Sequence, residues 1–287
     1  TPPEVAGDMP YDPDFRPFFE LPMMIGYGVA PSPFFPLVEG YQRVYWAYEY
    51  DDDELELVEQ ITVTVTDATK KIPEDLGDED GTPDFQTDCV VVNDLVEEVL
   101  DGEIDDRRPL ENTDDWYAQR QLNGDVIYCG EIARDYVYPE GDMPDDPAIP
   151  ELFEIEGSFK WGRDGAKPGI LVEADPVEGH VYRQEMALGD AEDAAEVVNA
   201  NYVFDDGHAE DAYVPEDAEE LVGDLCDGDR RCVVTRDFTP IEPDTNEFKF
   251  YAEDIGPILE FNIEDGSFAL LVECSYCGLL LPIPPSP

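Results

Sequence analysis

Gln60-Ile61-Thr62-Val63-Thr64-Val65-Thr66 is the stretch that decides the fold class. Its apolar residues, Ile61, Val63 and Val65, alternate with Thr62, Thr64 and Thr66. A period of two is that of an antiparallel strand with one face toward a core. Outward from it, Tyr41 to Tyr50 is aromatic-rich and strand-like. Residues 73–84 read as an acidic Gly/Pro loop, and Cys89-Val90-Val91-Val92 resumes a strand. Further candidate strands are Val126–Cys129, Phe153–Phe159, Gly169–Glu173, His180–Ala187, Cys232–Arg236, Glu247–Ala252, Ile258–Ile263 and Ser267–Val272. Asn123-Gly124, Glu140-Gly141, Asp164-Gly165 and Asp265-Gly266 punctuate them as turns. Two short helices are expected, Asp190 to Val198 and Glu216 to Val222 after Pro215. The array predicts antiparallel β structure with minor helix.

The 287 residues carry 16 Lys+Arg against 71 Asp+Glu, a formal net charge of −55. Such a balance excludes nucleic acid, whose phosphates need a basic footprint. It also opposes docking on anionic membrane surfaces. High charge favours disorder, but hydrophobic residues at 42% and aromatics at 11% supply enough apolar surface for a core. Self-repulsion at −55 is relieved in molar salt, where the Debye length falls to about 3 Å. The reading is a protein of high-salt surroundings whose carboxylates hold hydrated cations, with a fold that loosens below about 0.5 M salt. The alternative is an acidic, calcium-buffering protein of ordinary habitat.

Six cysteines, Cys89, Cys129, Cys226, Cys232, Cys274 and Cys277, suit an oxidising compartment. Cys226 and Cys232 flank a turn-like Asp227-Gly228-Asp229-Arg230-Arg231 and are expected to close a short disulfide loop. Cys274-Ser275-Tyr276-Cys277 lies in an apolar, strand-like run, unlike a redox CxxC that opens a helix. No second CxxC completes a zinc site. Structural disulfides are expected for all six. The chain starts at Thr1 with no signal-like segment, which is read as an exported protein whose leader is gone. The most apolar stretch, Phe268 to Ile283, is broken by Glu273 and Pro282, so no transmembrane helix is expected.

Much of the chain resembles a family of uncharacterised exported β-rich domains of bacteria and archaea. The likeness opens at Pro33-Phe34-Phe35-Pro36-Leu37, similar to N-P-[FY]-[FW]-P-L, and continues through Asp115-Trp116-Tyr117-Ala118-Gln119 and Tyr128-Cys129-Gly130-Glu131. Cys129 stands where the family usually has Phe. Glu156-Gly157-Ser158-Phe159, Asp164-Gly165-Ala166-Lys167-Pro168-Gly169-Ile170, Tyr182-Arg183-Gln184-Glu185 and Ala191-Glu192-Asp193 extend it. Tyr251-Ala252-Glu253-Asp254-Ile255-Gly256, similar to Y-A-P-G-V-G, closes it. The resemblance covers roughly residues 33–265 and implies a curved antiparallel sheet, similar to lipoprotein-carrier half-barrels. The chain departs at its ends and in acidic insertions near 139–152 and 205–231. The resemblance transfers no catalytic or binding residue.

Little else points to chemistry. None of the five serines sits in a G-x-S-x-G elbow. His180 and His208 lack metal spacing and read as structural. Carboxylate pairs for glycoside hydrolysis cannot be picked out of 71 acids. Asp75, Asp78, Asp80 and Asp84, with Gly77 and Gly81, supply hard oxygens but not the spacing of a calcium loop, and are a weak calcium candidate. No other cofactor is expected, and no catalytic residue. Trp116-Tyr117 and Phe159-Lys160-Trp161 read as core aromatics, with a ligand groove as the alternative.

The N-terminal 32 residues carry Pro2, Pro3, Pro10, Pro13, Pro17, Pro22 and Pro31, which forbid a regular helix. They also crowd Phe15, Phe18, Phe19, Leu21, Met23, Met24, Ile25 and Tyr27 into a short span. Apolar groups on an acidic protein must lie against something: the protein's own domain, or a neighbouring copy by strand complementation. The expected organisation is an extended arm (1–32), a β-rich domain (33–265), and a C-terminal strand with a Pro-rich tail (266–287). The expected function is a non-enzymatic extracellular structural protein of a halophile, self-assembling with copies of itself through the arm into a filament or surface layer. The alternative is a monomeric extracytoplasmic binding protein that holds an apolar ligand or lipid in a half-barrel cleft.

Overall fold

The computed structural model describes residues 30–51, 54–72, 87–120, 123–138, 152–154, 158–241, 246–275 and 277. The alternation at 60–66 lies in the middle of a long strand. Residues Gln42–Asp51 (β1), Glu54–Ile72 (β2), Thr87–Val99 (β3), Arg107–Gln119 (β4) and Val126–Ile132 (β5) form an antiparallel meander. Two short strands, Asp135–Val137 (β6) and Leu152–Glu154 (β7), pair beside β4. Lys167–Val172 (β8) follows, then Val181–Arg183 (β9), Glu185–Met186 (β10) and Ala194–Tyr202 (β11). After a short helix, Glu219–Leu225 (α1), come Cys232–Phe238 (β12), Asn246–Ala252 (β13), Gly256–Asn262 (β14) and Phe268–Cys274 (β15).

The strands join in one sheet in the order β10-β8-β5-β4-β3-β2-β1-β15-β14-β13-β12-β11-β9. Its two edges, β10 and β9, belong to one run of chain, Val181–Met186, interrupted only by Gln184. The curved sheet foreseen from the resemblance therefore goes further than a half-barrel and almost closes. Closure removes the unpaired edges that would otherwise recruit other chains.

Gln184 holds the seam. Its Nε2 donates to the Leu171 carbonyl on β8 (3.2 Å) and to Asp237 Oδ2 on β12 (3.0 Å). Its backbone N–H donates to the Asp193 carbonyl (2.8 Å). Such a tight corner needs a glycine opposite: a Cβ on Gly169 would sit 2.1 Å from the Gln184 carbonyl oxygen.

Several elements differ from expectation. Asp190–Val198 is not a helix; most of it belongs to β11. Ala and Glu favour helix by only tenths of a kcal/mol per residue. Here Val197, Val198 and two neighbouring strands, β9 and β12, offer ladder partners on both sides. The second expected helix is present as α1, preceded by a 3₁₀ turn at Glu216–Ala218. β4 was not foreseen as a strand, because Pro109, Asn112, Asp114 and Asp115 are poor strand formers. Its Pro109 falls at a register shift, where a missing N–H is tolerated. Of the expected 153–159 strand, residues 153 and 154 lie in β7, and residues 155–157 lie outside the described residues. The expected C-terminal strand is present as β15, which lies between β1 and β14. Asn123-Gly124, Asp164-Gly165 and Asp265-Gly266 all place their glycine at positive φ, as turn chemistry requires.

Phe34, Phe35 and Leu37 are buried against the sheet. The Arg43 guanidinium lies 4.4 Å from the Phe35 ring centroid. The outer face of β13 and β14 is covered by the loop before α1, where Tyr213 stacks on Phe248 at 4.1 Å.

Candidate functional site

Register decides which acids enter the barrel. Val63 pairs with Asp94, Asp94 with Thr113, Val92 with Asp115, and Asp115 with Glu131, so these side chains share the concave face. On the far wall Thr235 pairs with Lys249, and Lys249 with Glu260. Burial pushes Asp94 up to about 7, helped by Glu111 and Glu260, and opposed by Arg43 and Lys249. Glu131 rises to about 7 mainly by burial. Asp115 is pushed well above the carboxylate range by burial and then by Glu131 and Asp94. Burial and Asp193 do the same to Glu185.

The Tyr128 hydroxyl lies 2.5 Å from both Asp115 Oδ1 and Glu131 Oε2. A phenol has one proton to donate, so two such contacts require a proton on one of the carboxyls. Burial alone would discharge Lys249, but Glu260, Asp237 and Glu247 override it and hold the ammonium well above its ordinary range. Their oxygens stand 3.6, 3.7 and 3.7 Å from Nζ. A cleft of about 430 Å³ opens beside this group, reaching Glu131, Glu185, Asp193, Asp237 and Lys249. Among the described residues no group of three or more His, Cys, Asp or Glu side chains is placed so that it could hold a metal ion.

The larger opening lies on the other side of the sheet. Thr66, Val91, Asp114 and Trp116 occupy the positions facing away from the interior acids. They line a groove of about 830 Å³, whose far wall comes from the segment around Phe159 and Lys160. Backbone bonds fix that segment to β5: Glu131 N–H donates to the Phe159 carbonyl and Trp161 N–H to the Cys129 carbonyl, both at 2.9 Å. A Cβ on Gly130 would lie 2.5 Å from the Phe159 carbonyl, so the approach needs glycine there.

Trp116 and Phe159 are both buried and both border the groove. Core burial and groove lining, alternatives by sequence, coincide at these two residues. Lys70 Nζ and Lys160 Nζ stand 5.4 and 5.5 Å from the Trp116 ring centroid. Arg134, which pairs with Asp114 at 2.9 Å, and Arg163 complete the basic lining. Acidic groups, Asp114, Asp164 and Asp190, are also present, while the Glu131 carboxyl turns inward to Tyr128. Four cations beside three outward acids is a local balance far from the 16 against 71 of the whole chain.

The cysteines pair as Cys89–Cys129, Cys226–Cys232 and Cys274–Cys277. The first ties β3 to β5, the second fastens the end of α1 to β12, and the third clasps the end of β15. Three disulfides suit an exported protein. His180 Nδ1 is 2.8 Å from Glu173 Oε1. His208 precedes a 3₁₀ turn beside Asn199. Neither histidine borders the groove. The arm residues Phe15, Phe18, Phe19, Leu21, Met23, Met24, Ile25 and Tyr27 and the calcium candidates Asp75, Asp78, Asp80 and Asp84 lie outside the described residues. The interior acids were hidden among 71, and only strand register separates them from surface carboxylates. No helix among the described residues is long and apolar enough to cross a membrane.

No family model matches the chain, and no curated protein matches it. Among solved structures the chain is similar to a "putative lipoprotein" from Parabacteroides distasonis ATCC 8503, at 11% identity. That likeness covers 85% of this chain and 99% of the other, with a TM-score of 0.34.

Proposed function

We propose that this chain is an exported, non-catalytic binding protein that holds a small ligand in the groove at Trp116. The supporting observation is the convergence there of four of the chain's 16 basic side chains on an otherwise acidic molecule, in a concavity of about 830 Å³. That volume is within the usual range of small-molecule sites. The cleft beside Lys249 is smaller, about 430 Å³, and lined mainly by carboxyls, so the ligand site of this reading is the groove outside the barrel. The self-assembly reading rests on residues 15–27, to which the described residues add nothing. The same proposal makes the protein extracellular and halophilic: a charge of −55 is tolerable when molar salt screens it.

The test uses 5-fluorotryptophan-labelled protein in 1 M NaCl. Its three tryptophans give three fluorine resonances, assigned by Trp116→Phe. Decanoate, 1-decanol, glucuronate and glucose are titrated in turn. A saturable shift confined to the Trp116 resonance, with the other two unmoved, supports the reading. No shift from any of the four refutes it, and concentration-dependent polymers in sedimentation velocity then favour assembly through the arm.

A further inference from the structure

Resting on the groove as the binding site, we infer that its ligand is a free amphipathic anion: a monomeric carboxylate with an extended apolar body, of the fatty-acid class. The groove is two-sided in chemistry. Val91, Trp116, Ile132 and Phe159 give it an apolar floor, and Leu188 stands at its mouth 66% exposed. An isolated exposed leucine is unremarkable, but this one continues an apolar floor to the rim. Lys70 and Lys160 hold their ammonium groups over the Trp116 ring from two separate segments, β2 and the stretch after Ser158. A ligand lying on the floor therefore ends beside two positive charges.

Two other classes fit less well. A sugar needs an open aromatic face, and Trp116 is only 8% exposed with lysines already above it. A cation would be drawn to the other carboxylate-rich surfaces of the molecule at least as strongly as to a groove where acids and bases balance. An anion is repelled almost everywhere else, so the groove is where its charge is tolerated. A bilayer of anionic lipid presents the same headgroup charge over a wide area and meets the net charge of −55 rather than the groove alone. That favours the free monomer as the source.

The experiment compares decanoate with uncharged 1-decanol, both below self-association, by the Trp116 fluorine shift and by calorimetry in 1 M NaCl. Decanoate is expected to bind at least tenfold more tightly. In Lys70→Gln/Lys160→Gln its affinity should fall at least tenfold while that of 1-decanol stays within twofold, which also reports that the groove is intact. Lys71→Gln removes the same charge from an exposed neighbour paired with Asp88 and should change nothing. Equal binding of decanoate and 1-decanol, or decanoate binding unaffected in the double variant, overturns the anionic class while leaving the groove as a site. Binding of glucose at Trp116 with no response to decanoate overturns it likewise. Silence of all ligands at Trp116 overturns both readings. Co-sedimentation with phosphatidylglycerol vesicles, without binding of monomeric decanoate, overturns the free-monomer source.

Discussion

Replacing Asp94 by Asn isolates the electrostatic cost of the barrel interior. Asp94 sits on β3 facing Val63 and Thr113, with Oδ1 lacking any hydrogen-bond partner. Burial first, then Glu111 and Glu260, raise it to about 7. In the unfolded chain it titrates near about 4. The folded state therefore binds a proton that the unfolded state gives up. Its contribution to stability is whole below pH of about 4 and is lost progressively as pH rises through about 7. Three pKa units correspond to about 4 kcal/mol. Asn carries no titratable proton, so the variant escapes that loss. Its buried amide has its own cost of about 1–3 kcal/mol, but that cost does not vary with pH.

The readout is consequently the difference in Tm between variant and wild type, followed from pH 4.5 to pH 8 in 1 M NaCl by circular dichroism. About 3 of those ~4 kcal/mol are lost within that range, so the difference should move in favour of Asn by about 6 °C, taking about 2 °C per kcal/mol for a domain of this size. A difference that stays constant with pH, or moves against Asn, would show that Asp94 ionises as an ordinary carboxylate and would refute the account of the interior.

The remaining predictions concern the seam and the cross-links. Gly169→Ala places a methyl group 2.1 Å from the Gln184 carbonyl oxygen, and the atoms it meets, in Arg183 and Gln184, are backbone rather than a flexible side chain. It should destabilise the barrel by about 3 kcal/mol or more in guanidinium unfolding; a loss under about 1 kcal/mol would show the seam is loose. The Cys89–Cys129 bridge spans a sequence separation of 40 and Cys226–Cys232 one of six. Replacing each pair by serines should cost about 4 and about 2 kcal/mol respectively, because the longer loop restrains the unfolded chain more; the reverse order of midpoints would contradict this.

Particular residues show what could be read early. Ile61, Val63 and Val65 announced a strand by alternation alone, and the whole of β2 grew around them. Asp164-Gly165 and Asp265-Gly266 announced turns because a positive φ suits few other residues. Cys226 and Cys232 announced a bridge because five residues of turn-forming chain bring them together. The stretch Asp190–Val198 misled, since its Ala and Glu content argued locally for helix while the neighbouring strands offered more.

Chain chemistry by itself determined the antiparallel β class, the disulfide-bonded character and the acidity. Each follows from properties of residues within a few positions of one another or from simple composition. Only the tertiary structure decided that the sheet closes through Gln184. It also decided that Asp94, Asp115 and Glu131 turn inward while Asp114 and Trp116 turn outward, and that Lys70 and Lys160 meet over one indole. The physical reason is the two-residue period of the strand. One extra residue at a bulge, as between Trp116 and Tyr117 against β5, changes which side chains stand opposite each other across the sheet. Such irregularities are set by pairing between segments far apart in the chain.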